Sequence, residues 1–139
     1  MKDSVSCFRK IVSLARLILD HPAAKLHQSR FTFAPHVIVP LYMVGYCCPH
    51  SGTRREAISL LLSTPRREGL WDGMMAGKIV EWLMNVEEEH IEGEYVPEEM
   101  RMVKVSLKFN MMARTANVKG LMPIRGSSEL RAVEADLTW

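Results

Sequence analysis

Between Asp72 and Glu89, apolar side chains cover most of a helical wheel. Met75, Ile79, Trp82 and Val86 form one stripe, Ala76, Val80, Leu83 and Met84 broaden it, and Lys78, Glu81, Asn85 and Glu88 leave only a narrow polar arc. A helix lying on a surface buries one stripe, so an arc this wide demands contact on two sides. Asp72 stands where an N-cap is wanted, since its carboxylate suits both the free amides and the positive end of the helix dipole. Any fold available to this chain has to be built around that helix.

The segments before it punctuate cleanly. Val5, Phe8, Val12, Ala15 and Leu19 recur at helical spacing, and His21-Pro22 stops that helix because proline lacks an amide hydrogen and disfavours helical angles in its predecessor. A polar connector follows from Lys25 to Arg30. From about Pro35 to Cys47 the chain is apolar on nearly every side, which places it in a core, with Pro40 either kinking or dividing it. Thr53 and Glu56 have the spacing of a capping box, predicting a helix that starts at Thr53 and ends before Pro65.

Beyond Gly93, Val103, Val105, Leu107 and Phe109 alternate with Lys104, Ser106 and Lys108, the period of a half-buried strand. Thr115 to Leu121 is its expected partner, giving a hairpin over residues 102–121. The remaining residues, 123–139, read as a tail that is either a short helix over Glu129 to Leu137 or unstructured. The fold class expected is thus mainly α: about four helices in an irregular bundle over residues 1–122, followed by a C-terminal β-hairpin. Four helices and a hairpin offer little cover for the wide apolar arcs, which points to a fragment or to dimerisation.

Eighteen basic and sixteen acidic residues in a chain of 139 leave a formal charge of +2, and the basic residues are scattered rather than clustered. That balance does not predict a nucleic-acid surface. Cys7, Cys47 and Cys48 form neither an even disulfide framework nor a Cys-x-x-Cys pair, which favours a reducing compartment. The longest uncharged apolar run, Val37 to Cys48, is too short to cross a bilayer, so no membrane association is expected.

No catalytic, cofactor or metal site is expected. Cys47, Cys48 and His50 are metal-ligand types, but a structural zinc site takes four ligands and no second pair accompanies them. A Cys-His nucleophile would also need an orienting third group and an oxyanion hole that no spacing here identifies. Glu87, Glu88 and Glu89 lack the interleaved oxygen ligands of a cation loop, which leaves a solvated helix end as the simpler reading. Arg66 and Arg67 have the shape for phosphate but no glycine-rich loop beside them, so one is expected to pair with Glu68 or Glu81 and the other to cover a helix end.

The joint between the third and fourth helices, Pro65-Arg66-Arg67-Glu68-Gly69-Leu70-Trp71-Asp72, followed by Ala76, Glu81-Trp82 and Glu87-Glu88-Glu89, resembles the C-terminal part of the regulatory region of fungal zinc binuclear-cluster transcription factors. Phe8-Arg9-Lys10-Ile11, Phe31-Thr32-Phe33, Pro40-Leu41-Tyr42 and Arg54-Arg55-Glu56-Ala57-Ile58 resemble that region in the same order, and the hairpin with Val105, Leu107 and Phe109 resembles its closing segment, so the likeness runs from about Phe8 to Leu121. In such regulators a six-cysteine zinc cluster reads DNA, and the helical region behind it regulates activity and contacts other proteins. Three cysteines cannot supply those six ligands, so neither the zinc ions nor direct DNA binding carries over.

The resemblance implies a non-catalytic, nuclear, transcription-regulatory or protein-interaction segment whose partners are proteins or the rest of a regulator. Its structural joint would comprise Pro65, Arg66, Arg67, Glu68, Gly69, Trp71 and Asp72, with Glu81 and Trp82 further along the fourth helix. Trp71, Ile79, Trp82 and Leu83 are expected to join that helix to the second and third. Without the resemblance, the alternatives are a freestanding helical protein-binding module, cytoplasmic by default, or a small-molecule-binding protein.

Overall fold

The computed structural model describes residues 2–21, 36–63 and 65–139. The connector from Lys25 to Arg30 and the Phe31-Thr32-Phe33 motif lie outside the described residues.

Helix α1 (Lys2–Asp20) buries Val5, Val12, Ala15 and Leu19, one side of its wheel, and leaves Leu14 and Leu17 exposed. Helix α2 (Ile38–Cys47) carries no charged residue and buries Ile38, Leu41, Val44 and Gly45. Pro40 neither kinks nor divides it. The proline occupies the first turn, where a missing N–H costs no intrahelical bond, and the ladder begins with the Leu41 amide donating to the Val37 carbonyl at 3.0 Å.

Helix α3 (Ser51–Ser63) starts two residues earlier than a capping box at Thr53 requires. The Arg54 amide donates to the carbonyl of His50, and His50 Nδ1 accepts from the Thr53 amide at 3.1 Å. The histidine thereby does the capping, while Glu56 pairs with Arg16 of α1 at 3.2 Å. Strands β1 (Arg67–Glu68) and β2 (Trp71–Asp72) then form a miniature antiparallel hairpin around Gly69 and Leu70. Gly69 has φ +62°, a conformation that costs glycine nothing.

Helix α4 (Gly73–Glu88) follows directly, with Asp72 Oδ1 accepting from the amides of Met74 and Met75 at 2.9 and 3.1 Å. Its wide apolar arc meets two different layers. Ala76, Val80 and Met84 join α1, α2 and α3 in the main core, whereas Met75, Ile79 and Leu83 face the sheet.

That sheet corrects the expected fold class. Among the described residues, β3 (Val103–Asn110), β4 (Thr115–Pro123) and β5 (Leu130–Thr138) form a three-stranded antiparallel sheet in that spatial order. The chain therefore combines helical and sheet layers and is not a mainly helical bundle closed by a hairpin. Residues 130–138, expected as a short helix or an unstructured tail, pair with the whole length of β4 from Thr115↔Thr138 to Pro123↔Leu130. Leu130, Glu134 and Leu137 are acceptable helix formers, but pairing to a central strand outweighs that weak preference. Strand β4 turns Ala116, Val118, Gly120 and Met122 inward and buries all of them. Beside them Leu107 of β3 and Val133, Ala135 and Leu137 of β5 complete the inner face. The extra strand supplies much of the cover that α4 needs.

Candidate functional site

Three of the charged residues singled out in the sequence, Arg54, Glu68 and Glu87, gather at the two ends of α2. An apolar helix buried in a core still presents orphan amides at its start and orphan carbonyls at its finish, and they need partners. At the start, Glu68 reaches across from β1. Its Oε1 accepts from the amides of Val37 and Ile38 at 2.9 and 2.8 Å, and its Oε2 lies 3.1 Å from the Val37 amide. A carboxylate thus sits at the positive end of the helix dipole. Arg66 balances it, with Nε donating to Oε2 at 2.5 Å, and both side chains are buried.

At the finish, two arginines take the last carbonyls. Arg54 Nε donates to the Gly45 carbonyl at 3.0 Å, Arg101 Nη1 donates to the Cys48 carbonyl at 3.2 Å, and Arg101 Nη2 donates to the Tyr46 carbonyl. Cations at the negative end complete the complement to the dipole. Their counter-charges come from α4. Glu87 Oε2 meets Arg54 Nη1 at 2.8 Å, Glu87 Oε1 accepts from the Met102 amide at 2.8 Å and lies 3.5 Å from Arg101 Nε, and Glu88 holds Arg55 at 2.7 Å.

Glu87 is therefore not part of a solvated helix end: it is 3% exposed and links α4 to α3 and to the entry to the sheet. Arg54, completely buried, is pushed toward a lower pKa by desolvation, against which the Glu87 carboxylate holds its charge. The sequence signal for this cluster is weak, because the partners of Glu87 stand 33 and 14 residues away in the chain.

The joint residues divide into two groups. Arg66, Glu68 and Asp72 are buried and spent on capping, while Pro65 and Arg67 are exposed and Gly69 makes the turn. Trp71 sets its ring at a tilt of 53° to that of Tyr42 in α2, with centroids 5.3 Å apart, and packs on the helical core. Glu81 and Trp82 belong elsewhere. Glu81 pairs with Lys78 on the same helix at 3.6 Å, and Trp82 packs among Val105, Leu107 and Met102 on the sheet side. Trp82, Ile79 and Leu83 thus join α4 to the sheet rather than to α2 and α3, because the helix-facing arc is taken by Ala76, Val80 and Met84.

Cys47, Cys48 and His50 do not assemble a reactive pair. The Cys48 thiol is buried, which raises its pKa, and it points at the His50 carbonyl with Sγ 3.8 Å from the oxygen. The His50 ring is engaged by Thr53 at 2.9 Å and by the edge of Tyr95, with centroids 5.0 Å apart. A thiol held protonated, next to an imidazole occupied elsewhere, is a poor nucleophile. Among the described residues no group of three or more histidine, cysteine or acidic side chains is placed to hold a metal ion, and no helix is long and apolar enough to cross a membrane.

Comparison with protein-family models, curated proteins and solved structures finds no match to this chain.

Proposed function

We propose that the chain is a non-catalytic regulatory or protein-interaction segment of the kind that lies at the C-terminal end of the regulatory region in fungal zinc-cluster transcription factors, acting in the nucleus through protein partners and without a DNA-reading cluster of its own. The observation that supports this reading is the use to which the motif residues are put. Glu68 and Arg54, two charged positions within the resemblance, hold the two ends of α2, and Glu87, a third, pairs with Arg54, so neither carboxylate is left over as a general base. Charges committed to holding helix ends build a rigid platform, not a reaction centre. The third strand, β5, is an addition to the helices and hairpin that the resemblance covers, and the sheet it completes packs on α4.

Fusion to an unrelated DNA-binding domain upstream of a reporter tests the proposal. A change in reporter output in either direction is expected, and it should be lost in a Glu68→Ala variant that disturbs the platform. Output identical to that of the DNA-binding domain alone would sink the regulatory reading.

A further inference from the structure

Beside the β1–β2 hairpin, a cleft of about 230 Å³ is lined by Pro65, Arg67, Met74, Met111, Arg114 and Trp139, together with Arg66 and Asp72. These last two charges are already used: Arg66 by Glu68, and Asp72 by the amides at the start of α4. Arg67 and Arg114 are different. Both are exposed, they come from separate elements, and neither guanidinium has a carboxylate partner among the described residues. Arg114 also holds φ +53° at the end of the β3–β4 turn, a conformation that glycine or asparagine adopts at lower cost. Met74, Met111 and Trp139 add apolar lining to the cleft, and the indole Nε1 is shielded from solvent with no hydrogen-bond acceptor.

We propose that this cleft binds a small phosphate monoester carrying a flat apolar group. Two unpaired guanidinium forks match the charge and the oxygens of a phosphate dianion, which one carboxylate would neutralise only by half. The sulfur and indole surfaces take the apolar body. The volume fits a phosphate with a single ring. This assignment is independent of the regulatory reading, since it uses none of the residues that hold α2.

Phenyl phosphate is the probe, titrated into the full chain while the indole N–H resonances of Trp71, Trp82 and Trp139 are followed by NMR, with Trp139→Phe assigning the third. The Trp139 resonance should shift saturably, and affinity should fall about tenfold for each of Arg67→Gln and Arg114→Gln, as expected for loss of one charge-assisted contact. Unchanged Trp71 and Trp82 resonances in the variants establish that they fold. Inorganic phosphate and benzoate should both bind more weakly than phenyl phosphate. No saturable shift, benzoate binding as tightly, or an affinity unaltered in the double variant would each overturn the proposal.

Discussion

Gly45 of α2 lies flat against Val80 of α4: a β-carbon on the glycine would fall 2.9 Å from Val80 Cβ and 2.8 Å from its Cγ2. Real carbons do not approach so closely, and a valine in a helix has essentially one rotamer, so Val80 cannot retract. Gly45→Ala would gain about 1 kcal/mol of helix propensity and lose about 1 to 3 kcal/mol to overpacking. Net destabilisation is expected in urea titration. Adding Val80→Ala should make Gly45→Ala less harmful, or even favourable, in that background. A stabilising single substitution would show that the two helices do not meet here.

The clamp on the other end of α2 predicts a larger effect. Glu68→Ala leaves the Val37 and Ile38 amides without their acceptor and takes away the carboxylate that Arg66 pairs with. Breaking a buried pair from one side costs about 3 to 5 kcal/mol. Glu68→Gln should cost clearly less, since the glutamine oxygen still accepts from the α2 amides. The order of urea midpoints among the three proteins checks this. Equal midpoints for Glu68→Ala and Glu68→Gln would remove the capping of α2 from the explanation.

These two contacts mark where sequence reasoning succeeds and where it stops. The helix over Asp72 to Glu89, its cap and its need for two covering layers are all visible in the order of residues, because cap chemistry and the wheel are local. The identity of the second layer is not. Val133, Ala135 and Leu137 do alternate with Glu134 and Asp136, a period-two signal, but the residues are short or helix-tolerant, and only the paired edge of β4 decides between strand and helix. Glu68 and Glu87 fail to stand out for a related reason. Their value comes from backbone and arginine groups brought together by the fold, and a single sequence shows no such pairing. His50 was legible in principle, as a residue just before a helix, yet the nearby Thr53 and Glu56 offered a more familiar pattern.

Alkaline pH offers an independent probe of the helical core. Burial pushes the Tyr42 hydroxyl from its ordinary value of 10.0 up to about 12, with neighbouring Tyr46 and Cys47 adding to the rise. The unfolded chain therefore loses this proton before the folded protein does. The contribution of neutral Tyr42 is fully present below pH 10.0 and is lost as pH climbs toward about 12. Stability should fall across that window, and Tyr42→Phe, which removes the titrating group, should flatten the fall. A Tyr42→Phe protein with the same alkaline slope as the parent would place the responsible group elsewhere. Partial exposure of the ring limits the size of the effect, so the slope is the useful measurement.

Trp82 is the side chain that ties the sheet to the helices, since it touches both of the sheet-side clusters, packing with Ile79 and Val118 in one and with Leu83 and Met102 in the other. Truncating it removes a wide surface from a half-buried position, and about 3 kcal/mol is expected, the lower end for tryptophan to alanine. The loss should be uneven. Amides of β4 face this ring across Val118 and Met122, while those of α3 pack on the opposite side of α4, so hydrogen exchange in Trp82→Ala should accelerate more in β4 than in α3. A loss under about 1 kcal/mol, or equal acceleration in both elements, would mean that the sheet is held by other contacts and that Trp82 is only a lid on its edge.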